Sequence, residues 1–203
     1  SIQECWYTGT RPIQLLEIDN YQMFHKPSNV GKKGGLIAYV HNSLTAEELS
    51  FFEDSPNKLW EGQSIKISND DTLPKPITIH NVYRPPREKY GLNTDIGGRA
   101  NHDKFIKEIK PYLIKHKREQ ADIILLGYLN YNLMETTSNN MVQEFFDSMI
   151  THELLPQITV PTKINQDSCK LYDHIYTKLK SNRTTDSCVY LTNISDHLPV
   201  FIS

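Results

Sequence analysis

The chain has 203 residues, a formal net charge of −2 and 38% hydrophobic residues, which is one domain's length with material for a real core. That charge excludes a protein that coats nucleic acid by bulk attraction, yet leaves room for a nuclease, which needs only a local basic rim. No run approaches the roughly 18 apolar residues of a membrane span, no signal peptide opens the chain, and Cys5, Cys169 and Cys188 are odd in number and lack metal-ligand spacing, so they read as reduced thiols of an intracellular protein, nuclear or cytoplasmic.

In chain order, residues 36–40 (Leu-Ile-Ala-Tyr-Val), 64–67 and 77–83 read as strands, several of them alternating apolar with polar side chains. Gly34-Gly35 is the turn that opens the first of these and carries no chemistry. Residues 101–119 predict a helix that aligns Phe105, Ile109, Tyr112 and Leu113 on one face, with Asn101 as N-cap and a kink at Pro111. Its Lys104, Lys107, Lys110, Lys115, Lys117 and Arg118 read as a solvated outer face rather than a DNA contact. Residues 122–126 are continuously apolar after Asp122, as a central strand is. Residues 138–155 predict a second helix, with Met141, Phe145, Met149 and Leu154 facing inward. Strands at 174–179, 188–191 and 199–202 follow. Strands of mixed spacing with two helices between them argue for a layered α/β fold. Repeats, low-complexity tracts and linkers are lacking, so residues 1–203 read as a single domain. The sequons at Asn182 and Asn193 read as chance matches, the second because a glycan there would obstruct the neighbouring Ser-Asp-His triplet.

That triplet, Ser195-Asp196-His197, stands just before the last strand and places a carboxylate and an imidazole at a strand mouth, where one can hold a divalent cation and the other move a proton. A second Asp-His pair, Asp173-His174, heads an earlier strand. Gly127-Tyr128-Leu129-Asn130 follows the central strand, where α/β folds present functional side chains, and Asn130 could hold a phosphoryl oxygen or orient a water. Tyr83-Arg84-Pro85-Pro86 ends another strand, leaving a tyrosine for stacking or hydrogen bonding and an arginine suited to paired phosphate contacts. Glu4, after Gln3 and before Cys5-Trp6, carries no chemical signal by itself.

Taken in order, Gln3 to Trp6, residues 34–40, Tyr83-Arg-Pro-Pro86, residues 124–130, Pro161-Thr-Lys163, Tyr172-Asp-His-Ile175 and residues 195–200 resemble the endonuclease/exonuclease/phosphatase superfamily, and within it the apurinic-like endonuclease domain of non-LTR (LINE-type) retrotransposons. The resemblance implies a four-layered α/β sandwich of the DNase I-like kind and Mg²⁺-dependent nicking of DNA, with Mn²⁺ as the alternative ion. It implies DNA as partner, no membrane, a monomer, and a reverse transcriptase fused to the domain in the parent element. It makes Glu4 the metal-binding glutamate and Tyr83 the tyrosine beside the scissile phosphate. Asn130 becomes the asparagine that positions the attacking water, Asp173 the carboxylate that orients the catalytic His197, and Asp196 the last acid of the metal and phosphate site. Arg84 and Ser195 are then substrate contacts, and His174 drops out.

Two departures stand beside it. The pattern before Asn130 is Gly-Asp-x-Asn, and here Tyr128 replaces the aspartate that aligns the water; a phenol with a pKa near 10 is a poor base at neutral pH. The strand and helix that precede the Gln-Glu segment in the superfamily are absent, so the domain is expected to be N-terminally incomplete, less stable and prone to aggregate. A decayed, non-catalytic remnant that binds metal or nucleic acid weakly is therefore one alternative, and a phosphatase of the same superfamily another.

Overall fold

The computed structural model describes residues 1–6, 12–29, 34–69, 73–86, 98–180 and 183–203; Asn182 of the first sequon lies outside them. The strands are β1 (Ile2–Gln3), β2 (Tyr21–Lys26), β3 (Leu36–His41), β4 (Thr45–Leu49), β5 (Glu61–Asn69), β6 (Leu73–Tyr83) and β7 (Asp122–Tyr128), followed by β8 (Leu155–Pro156), β9 (Lys163–Ile164), β10 (Cys169–Lys170), β11 (Asp173–Lys178), β12 (Ser187–Val189) and β13 (Val200–Ile202). Two helices, α1 (Arg99–Arg118) and α2 (Asn140–Thr151), complete the set.

A six-stranded sheet in the order β4-β5-β6-β7-β11-β8 forms the spine. All of its pairings are antiparallel except β6 with β7. Parallel neighbours need a long crossover, and α1 lies in the segment that supplies it. The apolar run of β7 is explained by its place, since helices cover one face of the sheet and a second β layer the other. On the helical face, Phe105, Ile109 and Leu113 of α1 and Val142, Phe145 and Met149 of α2 share one core with Ile123, Leu125 and Tyr176 of the sheet. On the other face, Phe24, Ala38 and Val40 of the β1-β3-β2 sheet pack on Ile65 of β5 in a smaller core. A 3-10 turn at Ile13–Leu16 approaches the outer side of that small sheet, where Tyr39 Oη donates to the Leu16 carbonyl at 2.7 Å. The arrangement is an α/β sandwich.

Helix ends differ from the sequence reading for identifiable reasons. α1 begins at Arg99 after Gly98, so Asn101 is not the cap; its side-chain oxygen is claimed by Arg84 Nη2 at 3.2 Å. α1 runs on through Pro111, which sits on the exposed side. Its C-terminal carbonyls are gathered by the buried Lys178, whose Nζ donates to His116 O, to Lys117 O at 3.0 Å and to Glu119 O at 2.9 Å. α2 starts at Asn140, capped by Asn139 accepting from Met141 N at 3.1 Å. The six α1 cations are exposed, as expected of a solvated face. None of the three cysteines forms a disulfide.

One feature of the second β layer positions the site. β1 pairs only with β3, and β13 only with β12, among the described residues. β1 lies over β6 and β7, while β13 lies over β11. Between β1 and β13 opens a cleft of 880 Å³ whose lining includes Ile2, Leu126, Ile175, Leu198 and Val200.

Candidate active site

The sheet register builds the site. Tyr83 closes β6, Tyr128 closes the parallel β7, and Asp173 opens the antiparallel β11; the pairings Tyr83↔Tyr128 and Tyr128↔Asp173 set all three in one row. Cross-strand partners project to the same face, here the face under the cleft. Period-two alternation sends the next residue, His174, the other way. It is buried against Phe145 of α2, with Nε2 donating to Tyr131 O and Leu171 O at 3.0 and 3.2 Å. One residue's shift in register thus separates the acid at the cleft from the imidazole in the core.

Gly127 makes the row possible. Its φ is +155°, and a Cβ there would stand 1.8 Å from the Val82 carbonyl oxygen of the neighbouring strand. Only glycine tolerates that approach.

His197 reaches the row from the start of the β13 segment. An antiparallel bridge ties it to Lys163, and Leu198 N donates to Thr162 O at 2.7 Å. His197 Nδ1 then stands 2.8 Å from Asp173 Oδ2. The same carboxylate oxygen accepts the Thr162 hydroxyl at 2.6 Å. The buried Thr162 in turn accepts from the amides of Tyr172 and Asp173 at 3.2 and 3.1 Å. Asp173 is therefore held from two sides and fixes the imidazole with its Nδ1 proton inward and Nε2 outward. Nε2 faces Lys163 Nζ at 3.2 Å, and that ammonium also pairs with Asp196 Oδ2 at 2.6 Å. The hydrogen bond from Lys163 holds the Asp196 carboxyl below the usual carboxylate range.

Opposite, Glu4 of the β1 edge adopts a left-handed backbone (φ 54°) and accepts the Tyr83 hydroxyl. Burial first, then the hydrogen bond and charge of Glu4, push the Tyr83 phenol well above its ordinary range. Tyr128 lies between the two halves, its ring 5.9 Å from that of Tyr83 and 4.9 Å edge-on to His197. Burial pushes its phenol upward too, helped by the charges of Glu4 and Asp173, with a hydrogen bond from Asn130 pulling the other way. Such a phenol stays protonated at neutral pH and cannot serve as a base.

No family model matches the chain, and no curated protein matches it in sequence. Solved structures do match its shape. The endonuclease domain of TRAS1, a telomere-specific non-LTR retrotransposon, superposes with a TM-score of 0.63 at 15% identity, over 91% of this chain and 78% of that one. The 3'-5' exonuclease NExo from Neisseria meningitidis does so with a TM-score of 0.66 at 15% identity, and an AP endonuclease from Archaeoglobus fulgidus with 0.66 at 14%, each over 99% of this chain and 86% of that one. The chain shares the fold of these three proteins. Within this fold the site residues group at one end of the six-stranded sheet.

Glu4, Tyr128, Asp173, Ser195, Asp196 and His197 all line the cleft. Ser195 Oγ caps the His197 amide at 3.2 Å and leaves its side chain at the surface. Tyr83 is fully buried beneath Glu4. Asn130 has a left-handed backbone (φ 55°), and its Nδ2 donates to Arg84 O at 2.6 Å, which ties the end of β7 to the end of β6. Arg84 requires correction: it is not a phosphate contact. Only 2% exposed, its guanidinium lies 4.4 Å over the Tyr131 ring and 4.8 Å over Phe105, and it bonds Leu129 O and Asn101 Oδ1. A dipeptide before proline does not reveal which face of the sheet its arginine takes. Two residues went unassigned in the sequence reading, Thr162 and Lys163; the string Pro161-Thr-Lys163 was the available signal, without a role attached.

Glu4 and Asp196 bear directly on the divalent ion expected from the sequence. Both are carboxylates on the same cleft, and an oxygen-only set of one or two carboxylates, completed by water and substrate, suits Mg²⁺ or Mn²⁺. The donors fit such an ion, with Asp196 shared with Lys163. A tighter group, His102, Asp103 and Glu144, lies on the helices away from the cleft. Arg99 pairs with Asp103 at 2.8 Å and with Glu144 at 2.7 Å, so the group already holds a cation of its own. Among the described residues, no helix is long and apolar enough to cross a membrane.

Proposed function

We propose that this cleft binds DNA and hydrolyses a phosphodiester bond in it, slowly in this chain because Tyr128 stands where an aspartate would align the water. The observation that carries the reading is the Asp173–His197 contact of 2.8 Å at the cleft mouth of a nuclease fold. With Nδ1–H on Asp173, the outward Nε2 of His197 is free to take a proton from an attacking water and, once protonated, to donate to a phosphoryl oxygen after the phosphate has displaced Lys163. Asp173 stabilises the imidazolium that results, and Thr162 keeps Asp173 from turning away. Glu4 and Asp196 would hold the Mg²⁺, or Mn²⁺ in its place, which when bound neutralises charge on the phosphate. Loss of a positioned base costs about 10²- to 10⁴-fold in rate, which sets the scale of impairment expected from Tyr128.

Descent from a non-LTR element, action as a monomer, and fusion to a reverse transcriptase in the parent element belong to the same proposal, supported by the ordered strings and by the likeness to the TRAS1 domain. A second reading, a weak binder that no longer turns over, is favoured by the protonated Tyr128 ring packed against His197. Nicking of supercoiled plasmid in Mg²⁺, with a soluble phosphoinositide and a phosphodiester lipid assayed in parallel, separates the readings. Slow nicking that disappears in His197→Ala, with the other substrates untouched, is expected. Nicking that persists in His197→Ala contradicts the assignment, no turnover at all supports the second reading, and hydrolysis of the phosphoinositide alone supports a phosphatase.

A further inference from the structure

Among the described residues that line the cleft, Lys163 is the only Lys or Arg. Its position is set by the backbone and not by a wandering side chain: the antiparallel bridge Lys163↔His197 makes the two a cross-strand pair on one face. Its ammonium sits 2.6 Å from Asp196 Oδ2 and 3.2 Å from His197 Nε2, and the side chain is 24% exposed, open to the cleft mouth. The arginine that the sequence offers for phosphate, Arg84, is locked in the core. An anionic substrate that reaches Nε2 of His197 must therefore meet this ammonium first.

We propose that Lys163 is the phosphate-binding residue of the cleft, exchanging Asp196 and His197 for a non-bridging phosphate oxygen when substrate enters. The inference rests on the phosphodiesterase reading for what the phosphate belongs to, but not for the binding itself. An ammonium has three donors and no acceptor, so on leaving Nε2 it can bond a phosphate oxygen while exposing the imidazole that handles the proton. Asp196, with a side chain 65% exposed, turns to water or to a cation at little cost. Lys163 and a divalent ion thus compete for one carboxylate, and the residue gates anion and cation binding in opposite directions.

The test compares the wild-type chain with Lys163→Met and Lys163→Arg. Inorganic phosphate binding is read from the His197 imidazole ¹⁵N shifts, and Mn²⁺ binding from its electron paramagnetic resonance. Lys163→Met should weaken phosphate binding by at least about 10-fold, the loss of one charge-assisted hydrogen bond, and tighten Mn²⁺ binding, while Lys163→Arg keeps phosphate binding within about threefold of the wild type. Unchanged phosphate and Mn²⁺ binding in a folded Lys163→Met chain overturns the proposal. If that variant fails to fold, loss of phosphate binding in a folded Lys163→Arg chain overturns it as well. Opposite shifts in the two affinities with no plasmid nicking by the wild type would uphold Lys163 and reject the nuclease reading alone.

Discussion

Acid should unfold this domain earlier than its carboxylates alone would dictate. His80 and His116 are both fully buried, with ring centroids 4.3 Å apart and His116 stacked on Phe51 at 4.6 Å. His80 Nδ1 meets Ser64 Oγ at 2.8 Å, but His80 Nε2 and both nitrogens of His116 have no hydrogen-bond partner among the described residues. Burial pulls the His116 pKa down to about 3, reinforced by the ammonium groups of Lys178 and Lys115 and by His152. Burial pulls His174 down to about 4, and burial with the His116 and Lys115 charges holds His80 well below its ordinary value. An unfolded histidine titrates near 6.5. Between that value and the folded ones, the unfolded chain binds protons that the folded chain refuses, so stability is full above pH 6.5 and falls as pH drops. At pH 5 the penalty is about 1.4 kcal/mol per unit over about 1.5 units, roughly 2 kcal/mol for each imidazole. His116 and His174 together then lose about 4 kcal/mol, with His80 adding in the same direction, out of about 5–15 kcal/mol for a typical domain. Asp196, Glu144 and Glu153, whose pKa values are lowered, stay ionised at pH 5 and do not confuse the reading. Trp60, fully buried, reports unfolding by its emission, whereas Trp6 is 56% exposed already. Urea titrations at pH 7.5 and 5.0 should differ by at least about 4 kcal/mol; free energies within about 1 kcal/mol of each other would refute the reasoning.

Other consequences can be checked on the same material. Gly127→Ala drives a Cβ to 1.8 Å from Val82 O, so the central β6–β7 pair must part; a loss of more than about 3 kcal/mol in urea denaturation is expected, and a loss under about 1 would be inconsistent. Arg84→Ala removes two hydrogen bonds and two ring contacts from the core and should lower stability by about 2–4 kcal/mol, whereas a surface arginine would change it by no more than about 0.5. The β12–β13 pair, with neither outer edge paired to another strand among the described residues, should exchange its amides far faster than β7, which is paired on both sides; equal protection in a hydrogen-exchange experiment would mean that the cleft-facing edge is covered in solution.

The central strands were legible because burial on both faces leaves a chemical mark. Residues 123–126 are apolar throughout after Asp122, and the observed β7 differs only in running on to Tyr128. The short strands β1, β8, β9 and β10 carry no such mark, each having two residues and owing its conformation to a neighbour. In the site, the Asp173–His197 pairing was readable from the two Asp-His strings by likeness alone, while its geometric cause, Thr162 and the Lys163 bridge, depends on strand pairing that residue order does not disclose. Arg84 fails for a related reason. A cation before two prolines reads as a strand-mouth ligand, yet the aromatic pair Phe105 and Tyr131, distant in sequence, offers it a stacked seat in the core.

The central claim, a phosphodiesterase site held back by the residue at 128, is tested most directly by plasmid nicking in Mg²⁺ with Tyr128→Asp and with Tyr128→Asp/His197→Ala. An aspartate there adds a base beside His197 and removes a protonated ring that lies 4.9 Å from it. The account predicts a rise of about 10²-fold or more in Tyr128→Asp, lost entirely when His197 is also replaced. A folded Tyr128→Asp chain that nicks no faster than the wild type, or a double variant that nicks as fast as the single one, would contradict it.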